Sequence, residues 1–552
     1  MSDNSFSDAS KYGKKSADQS CTTDSEDLSV TNRDSENDSI EQNINADESV
    51  KPLSEEEGLN AAKSFLDGNE EVREDKEFAT FLRYLVKFSK KARELGIEGL
   101  FSTTTIYNQG GNHFSGCDVG AQNIVGHNQK IGSAIHGDDS GKHIEERSDS
   151  SIEEIFDEHE NVKDRSFMIA LAVLEGCNYR YVLNTSRQLQ SILQPKEKTE
   201  NDLDIRVNEK KRSTWLKEIR AYLSDGEEST ECGQGQIDIV SFQCQEDSST
   251  LLRYIWHEYD AYADALLQWL YELGEHSSAD VRSRAAGIAG QLAIYEFRPV
   301  REKIFLPWAK SEKQSLQRLT ALALSIVASY DENEKIAQQA FNILHHWSGL
   351  KNSFRLNSTA IVAYGHYIGL LFPQQALDNL KIIAQSGDGR LFSDIAQAVV
   401  KLFDIGEKVS ERNLIILNTL KEWIKQHPKT SLHKLSLIIF WRLMRKSNFA
   451  NNVQRPVLLL FSKEEKQVTS SIVFLIRNSL NIPLTSDLTI QAIRSWVDFV
   501  DKQQEFYEII AIIIFNIAKT EGEKRRICSY LSIWSRTSNI AVRLLDLMKR
   551  SS

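Results

Sequence analysis

The amino-acid sequence predicts an all-α protein built from tandem helix pairs, and three observations carry that expectation. Short, mutually similar segments return at near-constant intervals through the second half of the chain. Only eight of the 552 residues are proline, which leaves long helices uninterrupted where turn-rich β architecture would need more ring-locked corners. Apolar side chains make up 41% and charged ones 26%. That balance suits a buried core with a wet surface and excludes collagen-like or wholly disordered chains. At roughly 150 residues per domain, the length allows three or four domains.

Taken from the N-terminus, residues 1–57 hold fifteen acidic and five basic side chains and few aromatics. Such a segment buries too little apolar area to offset chain entropy, so a disordered acidic tail is expected. Residues 401–552 carry 24 basic and 14 acidic side chains, which makes a contact between tail and C-terminal region conceivable. Residues 58–100 read as a helical unit, because Phe78, Phe81, Leu82, Leu85, Val86 and Phe88 recur near helical spacing. Residues 101–164 then form a Gly/Asn-rich and acidic stretch. Its part 103–143 holds eight of the 27 glycines, a density that no helix survives. Three readings stay open for it: a linker, a short β-arc with apolar residues stacking inward, or a self-associating segment. Residues 165–249 read as a helical adaptor region, with Gly176 separating two helices. There Gln236-Ile237-Asp238-Ile239-Val240-Ser241-Phe242 alternates at period two, the mark of a strand or extended connector.

From about residue 250 to 552 the chain repeats. Val281-Arg282-Ser283-Arg284-Ala285, Leu316-Gln317-Arg318-Leu319-Thr320, Phe354-Arg355-Leu356-Asn357-Ser358, Leu391-Phe392-Ser393-Asp394-Ile395 and Leu432-His433-Lys434-Leu435-Ser436 align, and Val468-Thr469-Ser470-Ser471-Ile472 aligns less well. Their leading apolar residues lie 35, 38, 37, 41 and 36 positions apart. Each opens an amphipathic helix preceded by another, and two antiparallel helices per 35–41 residues is the spacing of a HEAT-type α-solenoid. About six to seven helix pairs are expected. Ala279-Asp280-Val281-Arg282 with Ala285, Ala286 and Leu292 resembles the HEAT pattern. That resemblance implies Asp280 as a cap and Arg282 facing a neighbouring turn.

Residues 251–297 and 304–328, together with 165–189, resemble the C-terminal helical-repeat half of large bacterial proteins similar to STAND-type signalling NTPases. The resemblance covers roughly residues 165–400 and rests on structural motifs. It implies a bacterial signalling or defence-type setting. It does not extend to the nucleotide site, which needs a P-loop. Gly137-Asp138-Asp139-Ser140-Gly141-Lys142-His143 has neither the glycine spacing nor a Ser/Thr after the lysine, and two carboxylates stand where phosphates must bind. The NTPase module is therefore read as absent.

No other constellation supplies catalytic chemistry. His257-Glu258-Tyr259-Asp260 is followed by Ala261, so the second histidine of a zinc HExxH helix is missing. His345, His346 and His366 are metal candidates only if adjacent repeats bring them together. Ser386-Gly387-Asp388-Gly389-Arg390 lies between two helices and reads as a turn. Six scattered cysteines without a Cys-x-x-Cys pair suit a reducing, cytoplasmic setting. No secretory signal opens the chain, and the apolar run Ile509–Phe515, bounded by Glu508 and Lys519, is half the length of a bilayer span.

No enzyme activity, cofactor or metal is expected. The expected function is a scaffold or sensor that binds a protein partner through the solenoid, with self-association through 103–143 as an added feature. Two alternatives stand beside it: a nucleic-acid-binding solenoid, and a degenerate nucleotide or metal-dependent hydrolase. Lys421, Lys425, Arg442, Arg445, Lys524, Arg525 and Arg526 are the candidate partner-binding residues, because a row of cations on a solenoid face neutralises phosphate or acidic protein surface.

Overall fold

The computed structural model describes residues 54–57, 59, 151–195, 211–230, 233–244, 246–330, 332–403, 410–450 and 453–550. The acidic tail up to residue 53, the helical unit 58–100 apart from Leu59, and the Gly/Asn segment 103–143 lie outside these residues. Within them the protein is mainly α, with many helices packed in sequence-neighbour pairs and two small sheets.

In the stretch read as Gly/Asn-rich and acidic, helix already forms ahead of residue 165, at α1 (Ile152–Glu158). Ser151 and Glu154 close a reciprocal capping box there, which satisfies two orphan donors of the first turn. Next come α2 (Val162–Val173) and α3 (Tyr179–Leu193), broken at Gly176 with φ +75°. Short α4 (Arg212–Glu218) leads into a hairpin of β2 (Ala221–Thr230) and β3 (Gly233–Phe242). The expected strand is thus β3. Its antiparallel partner β2 pairs Leu223 with Val240 and Gly226 with Ile237, and the two-residue β1 (Cys177–Asn178) joins its other edge.

The repeat region contains α5 (Asp247–Glu258), α6 (Asp260–Leu273), α7 (Ala279–Tyr295), α8 (Phe297–Val300), a π turn (Arg301–Phe305), α9 (Leu306–Ala309) and α10 (Gln314–Ala328). It continues with α11 (Glu334–Gly349), α12 (Phe354–Ala363), a second π turn (Tyr364–Ile368), α13 (Gly369–Leu371), α14 (Pro373–Gln385) and α15 (Phe392–Leu402). After α16 (Ser410–Gln426) and α17 (Ser431–Arg445), a hairpin of β4 (Ser447–Ala450) and β5 (Val453–Pro456) leads into α18 (Val457–Glu464). The last helices are α19 (Thr469–Leu480), α20 (Pro483–Lys502), α21 (Tyr507–Ile517), α22 (Glu521–Trp534) and α23 (Asn539–Arg550).

These helices make two rows. α7, α10, α12, α15, α17, α20 and α23 each pack on the next as a row of second helices, while α11, α14, α16, α19 and α21 do the same as first helices. Five aligned sequence segments fall at the start of second helices. The sixth does not: Val468 precedes α19, which stacks on α16 in the first row, and α20 is the second helix of that unit. The β4–β5 hairpin and α18 are inserted ahead of it, which shifts the register by one helix while leaving the interval nearly unchanged.

Large indoles tie neighbouring helices together. Trp269, Trp308, Trp441 and Trp496 are buried, and each indole N–H reaches a carbonyl of a neighbouring element. Trp269 donates to Thr185 (3.0 Å), Trp308 to Tyr271 (3.2 Å), Trp441 to Leu488 (3.1 Å) and Trp496 to Met444 (2.9 Å). A buried indole contributes its apolar area only if its N–H is satisfied, and these carbonyls satisfy it. At α7 the N-cap is Ser278, without a side-chain bond, and Asp280 stands in the first turn, where it faces the helix dipole. Arg282 folds back onto the loop carbonyls of His276 (2.8 Å) and Ser277 (2.9 Å).

Candidate functional site

The row of second helices is closely packed because small residues meet along it. A Cβ on Gly290 of α7 would lie 2.8 Å from the Ala323 carbonyl oxygen of α10. One on Gly365, in the π turn after α12, would lie 2.4 Å from Ala398 Cβ and 2.7 Å from its Cα. Such approach leaves little room between the helix backbones, so polar side chains that start on three successive helices converge on one recess.

Gln314, Gln317 and Arg318 of α10, Ser358, Ile361 and Val362 of α12, and Asp394, Gln397, Ala398 and Lys401 of α15 line that recess, whose volume is about 90 Å³. Gln317 is fixed by donating to the Ser311 carbonyl (2.8 Å). Burial pushes the Asp394 carboxyl up to about 6, and the positive charge of Lys401 counteracts this only in part. The recess thus offers a carboxyl group that titrates near pH 6, an ammonium, a guanidinium, three amides and a hydroxyl. Amides and hydroxyls both donate and accept hydrogen bonds. The lining side chains are hydrogen-bonding and charged groups, with Ile361, Val362 and Ala398 among them.

The seven basic candidates are distributed over several helices. Lys421 and Lys425 of α16 both lie 5.9 Å from the centre of the Phe474 ring of α19, and Lys425 pairs with Glu422 at 3.1 Å. Arg445 of α17 lies 5.3 Å over Trp441. Arg442 is half-buried, and desolvation lowers its guanidinium to about 10. Lys524, Arg525 and Arg526 are on α22, where Arg525 bonds its own helix at Glu521 O (3.4 Å) and Arg526 closes the C-terminus of α19 at Leu480 O (2.6 Å). Lys421 and Lys425 are brought together by the shared ring, while Arg442 and Arg445 share α17 and Lys524, Arg525 and Arg526 share α22.

Other motifs have ordinary partners. His257 packs at a tilt against Tyr295 (5.5 Å between centroids), and Tyr259 donates to Asp157 (2.6 Å). His345 Nδ1 shares a hydrogen bond with Asn379 (2.8 Å), and the His366 side chain lies outside the described residues, as does Lys142. Among the described residues no group of His, Cys, Asp and Glu is arranged to hold a metal ion, and no helix is long and apolar enough to cross a membrane. The loop 386–390 is a turn: Gly387 takes φ +84°, and Asp388 caps the following 3-10 turn and pairs with Arg390 at 2.7 Å.

No family model matches the chain, and no curated protein matches it. Twelve chains of solved structures do. One is the crystal structure of an engineered protein, 15% identical, aligned over 41% of this chain and 96% of that one at a TM-score of 0.21. A likeness that loose carries no argument about function.

The recess was within reach of the sequence, yet not singled out by it. Gln317, Arg318, Ser358 and Asp394 all stand inside the repeated segments. Their signal was polarity at second-helix positions whose neighbours are buried.

Proposed function

We propose that the chain is a HEAT-like α-solenoid that acts as a non-enzymatic scaffold or sensor, holding an extended polar segment of a protein partner along its second helices. The observation that supports this reading is the recess shared by α10, α12 and α15. Small-molecule sites enclose roughly 300–1,000 Å³, whereas this recess of about 90 Å³ admits a single side-chain group. Packed helices lie about 8–10 Å apart and an extended peptide advances about 3.3 Å per residue, so successive helices meet about every third residue of a bound chain. Gln314, Gln317 and Gln397 match main-chain amides, while Asp394 and Lys401 set the charge pattern of the side chain that enters. Long stacked surfaces of this kind suit macromolecules better than small ligands. A bacterial signalling or defence-type setting rests on the STAND-type resemblance alone.

The test is site-specific photo-crosslinking from position 362 in the native host, followed by nuclease. The expected result is a defined protein adduct that survives nuclease and is lost in Asp394→Lys. Absence of a protein adduct, or one that nuclease removes, overturns the reading.

A further inference from the structure

A second surface lies at the loop edge of the repeats, where the N-terminal part of the chain returns. Ser54 and Glu57 form a reciprocal cap (Ser54 N to Glu57 Oε2, 3.0 Å; Glu57 N to Ser54 Oγ, 3.3 Å), so the Ser-Glu-Glu-Glu run starts a helical turn. Leu59, one turn further on, is only 4% exposed. Between them the Glu55 carboxylate accepts a hydrogen bond from Ser431 Oγ. Its other oxygen lies 3.5 Å from where a Cβ on Gly387 would stand. Ser431 is the first residue of α17, a fifteen-residue helix whose N-terminal amides favour an anion. Gly387 belongs to the loop after α14, so the acidic turn bridges two adjacent repeat units 330 or more positions away in sequence.

The edge beneath it is built to be covered. His433 is 9% exposed, and its Nδ1 accepts from the Lys429 amide (3.1 Å). Its Nε2 then carries the proton, yet that atom has no hydrogen-bond partner among the described residues, and neither do His427 Nε2 or Ser386 Oγ. Exposed Lys429 and Lys434 flank the same turn. Polar donors, positive charge and a helix N-terminus together fit one chemistry, an acidic helical turn.

We infer that the Gly387–Ser431 edge is a docking site for acidic helical turns of a partner protein, and that Ser54–Glu57 together with Leu59 are its cis occupant, a strap that must leave before the partner engages. The site is separate from the recess on α10, α12 and α15. A tethered segment competes at a high effective concentration, so the intact chain masks its own site.

The probe is a fluorescent peptide spanning residues 50–62, titrated by anisotropy into three full-length proteins: wild type, Glu55→Lys/Leu59→Asp, and the same double variant carrying Ser431→Glu. Glutamate suits the first turn of a helix, so the third protein keeps its fold, checked by circular dichroism. The expected result is binding to the double variant about tenfold or more tighter than to wild type, and loss of binding when Ser431→Glu is added. Equal binding to wild type and double variant overturns the strap. No binding to a folded double variant, or binding that Ser431→Glu leaves unchanged, overturns the docking site.

Discussion

Replacing Gly365 by Ala tests whether the second helices are as closely packed as the recess requires. In an open helix the change would stabilise by about 1 kcal/mol, because alanine loses less chain entropy than glycine. Here the new methyl would stand 2.4 Å from Ala398 Cβ and 2.7 Å from Ala398 Cα. The second contact is with backbone, so no side-chain rotation relieves it, and the π turn and α15 must separate by about 1 Å. Overpacking of that kind costs about 1–3 kcal/mol. The same seam continues at Gly369, where a Cβ would stand 2.8 Å from the Leu402 methyls, so separation also loosens apolar contacts there. A net loss of about 1–2 kcal/mol is expected. Urea unfolding followed by circular dichroism measures it, with hydrogen exchange in α12 and α15 locating it, since stacked units need not unfold as one. Ala398→Gly alone should cost about 1 kcal/mol. Adding it to Gly365→Ala should remove the clash, so the pair is strongly non-additive in the favourable direction. A Gly365→Ala protein as stable as wild type or more so, or strict additivity of the pair, would falsify the close packing on which the recess depends.

Two further outcomes follow from the charged groups. The folded-state carboxyl of Asp394 is raised to about 6, so stability falls as pH rises from the ordinary carboxylate range through 6. Asp394→Asn should therefore stabilise the protein at pH 7 and have a smaller effect at pH 4. Urea midpoints at the two pH values check this, and equal effects at both would sink it. Arg477 of α19 holds Glu523 of α22 by two bonds of 2.9 and 3.1 Å. Burial raises the Glu523 carboxyl, but hydrogen bonds from the Thr520 backbone, Arg477 and the Thr520 hydroxyl outweigh it and hold the group below its usual value. That contribution is present above the ordinary carboxylate range and is lost as pH falls through the lowered value. Arg477→Ala should cost about 1–2 kcal/mol at pH 7, and the difference from wild type should shrink in acid; a deficit that stays constant down to pH 3 refutes the pairing.

The helices and their pairing were legible because their cause is local. Apolar residues three and four positions apart fall on one helical face wherever the helix later docks. The run before Tyr330 and the run before Gly349 therefore announce α10 and α11 without reference to any neighbour. β3 announced itself through the alternation of Ile237 and Ile239 with Gln236 and Asp238. Its partner β2 did not, since Ser224, Asp225, Glu227 and Glu228 give no apolar alternation; β2 is paired along its length with β3. Asp280 shows the same limit at one residue, because a capping type beside a helix start does not say which residue occupies the cap.

Sequence alone therefore determined the mainly α class, most helix positions and the two-helix unit, all of which follow from interactions within a few residues. Tertiary structure decided what depends on burial between distant segments. It assigned Val468 to the first row once the β4–β5 hairpin and α18 were inserted. It explained Gly365 by the methyl of Ala398, and it gathered Gln317, Ser358 and Asp394 into one recess. It also seated Glu55 at Ser431. A periodic pattern records which face of a helix avoids water, but many neighbours can satisfy that face. Which one does is settled only when the whole stack closes and each backbone must find the partner that fits its small residues, its carbonyls and its charges.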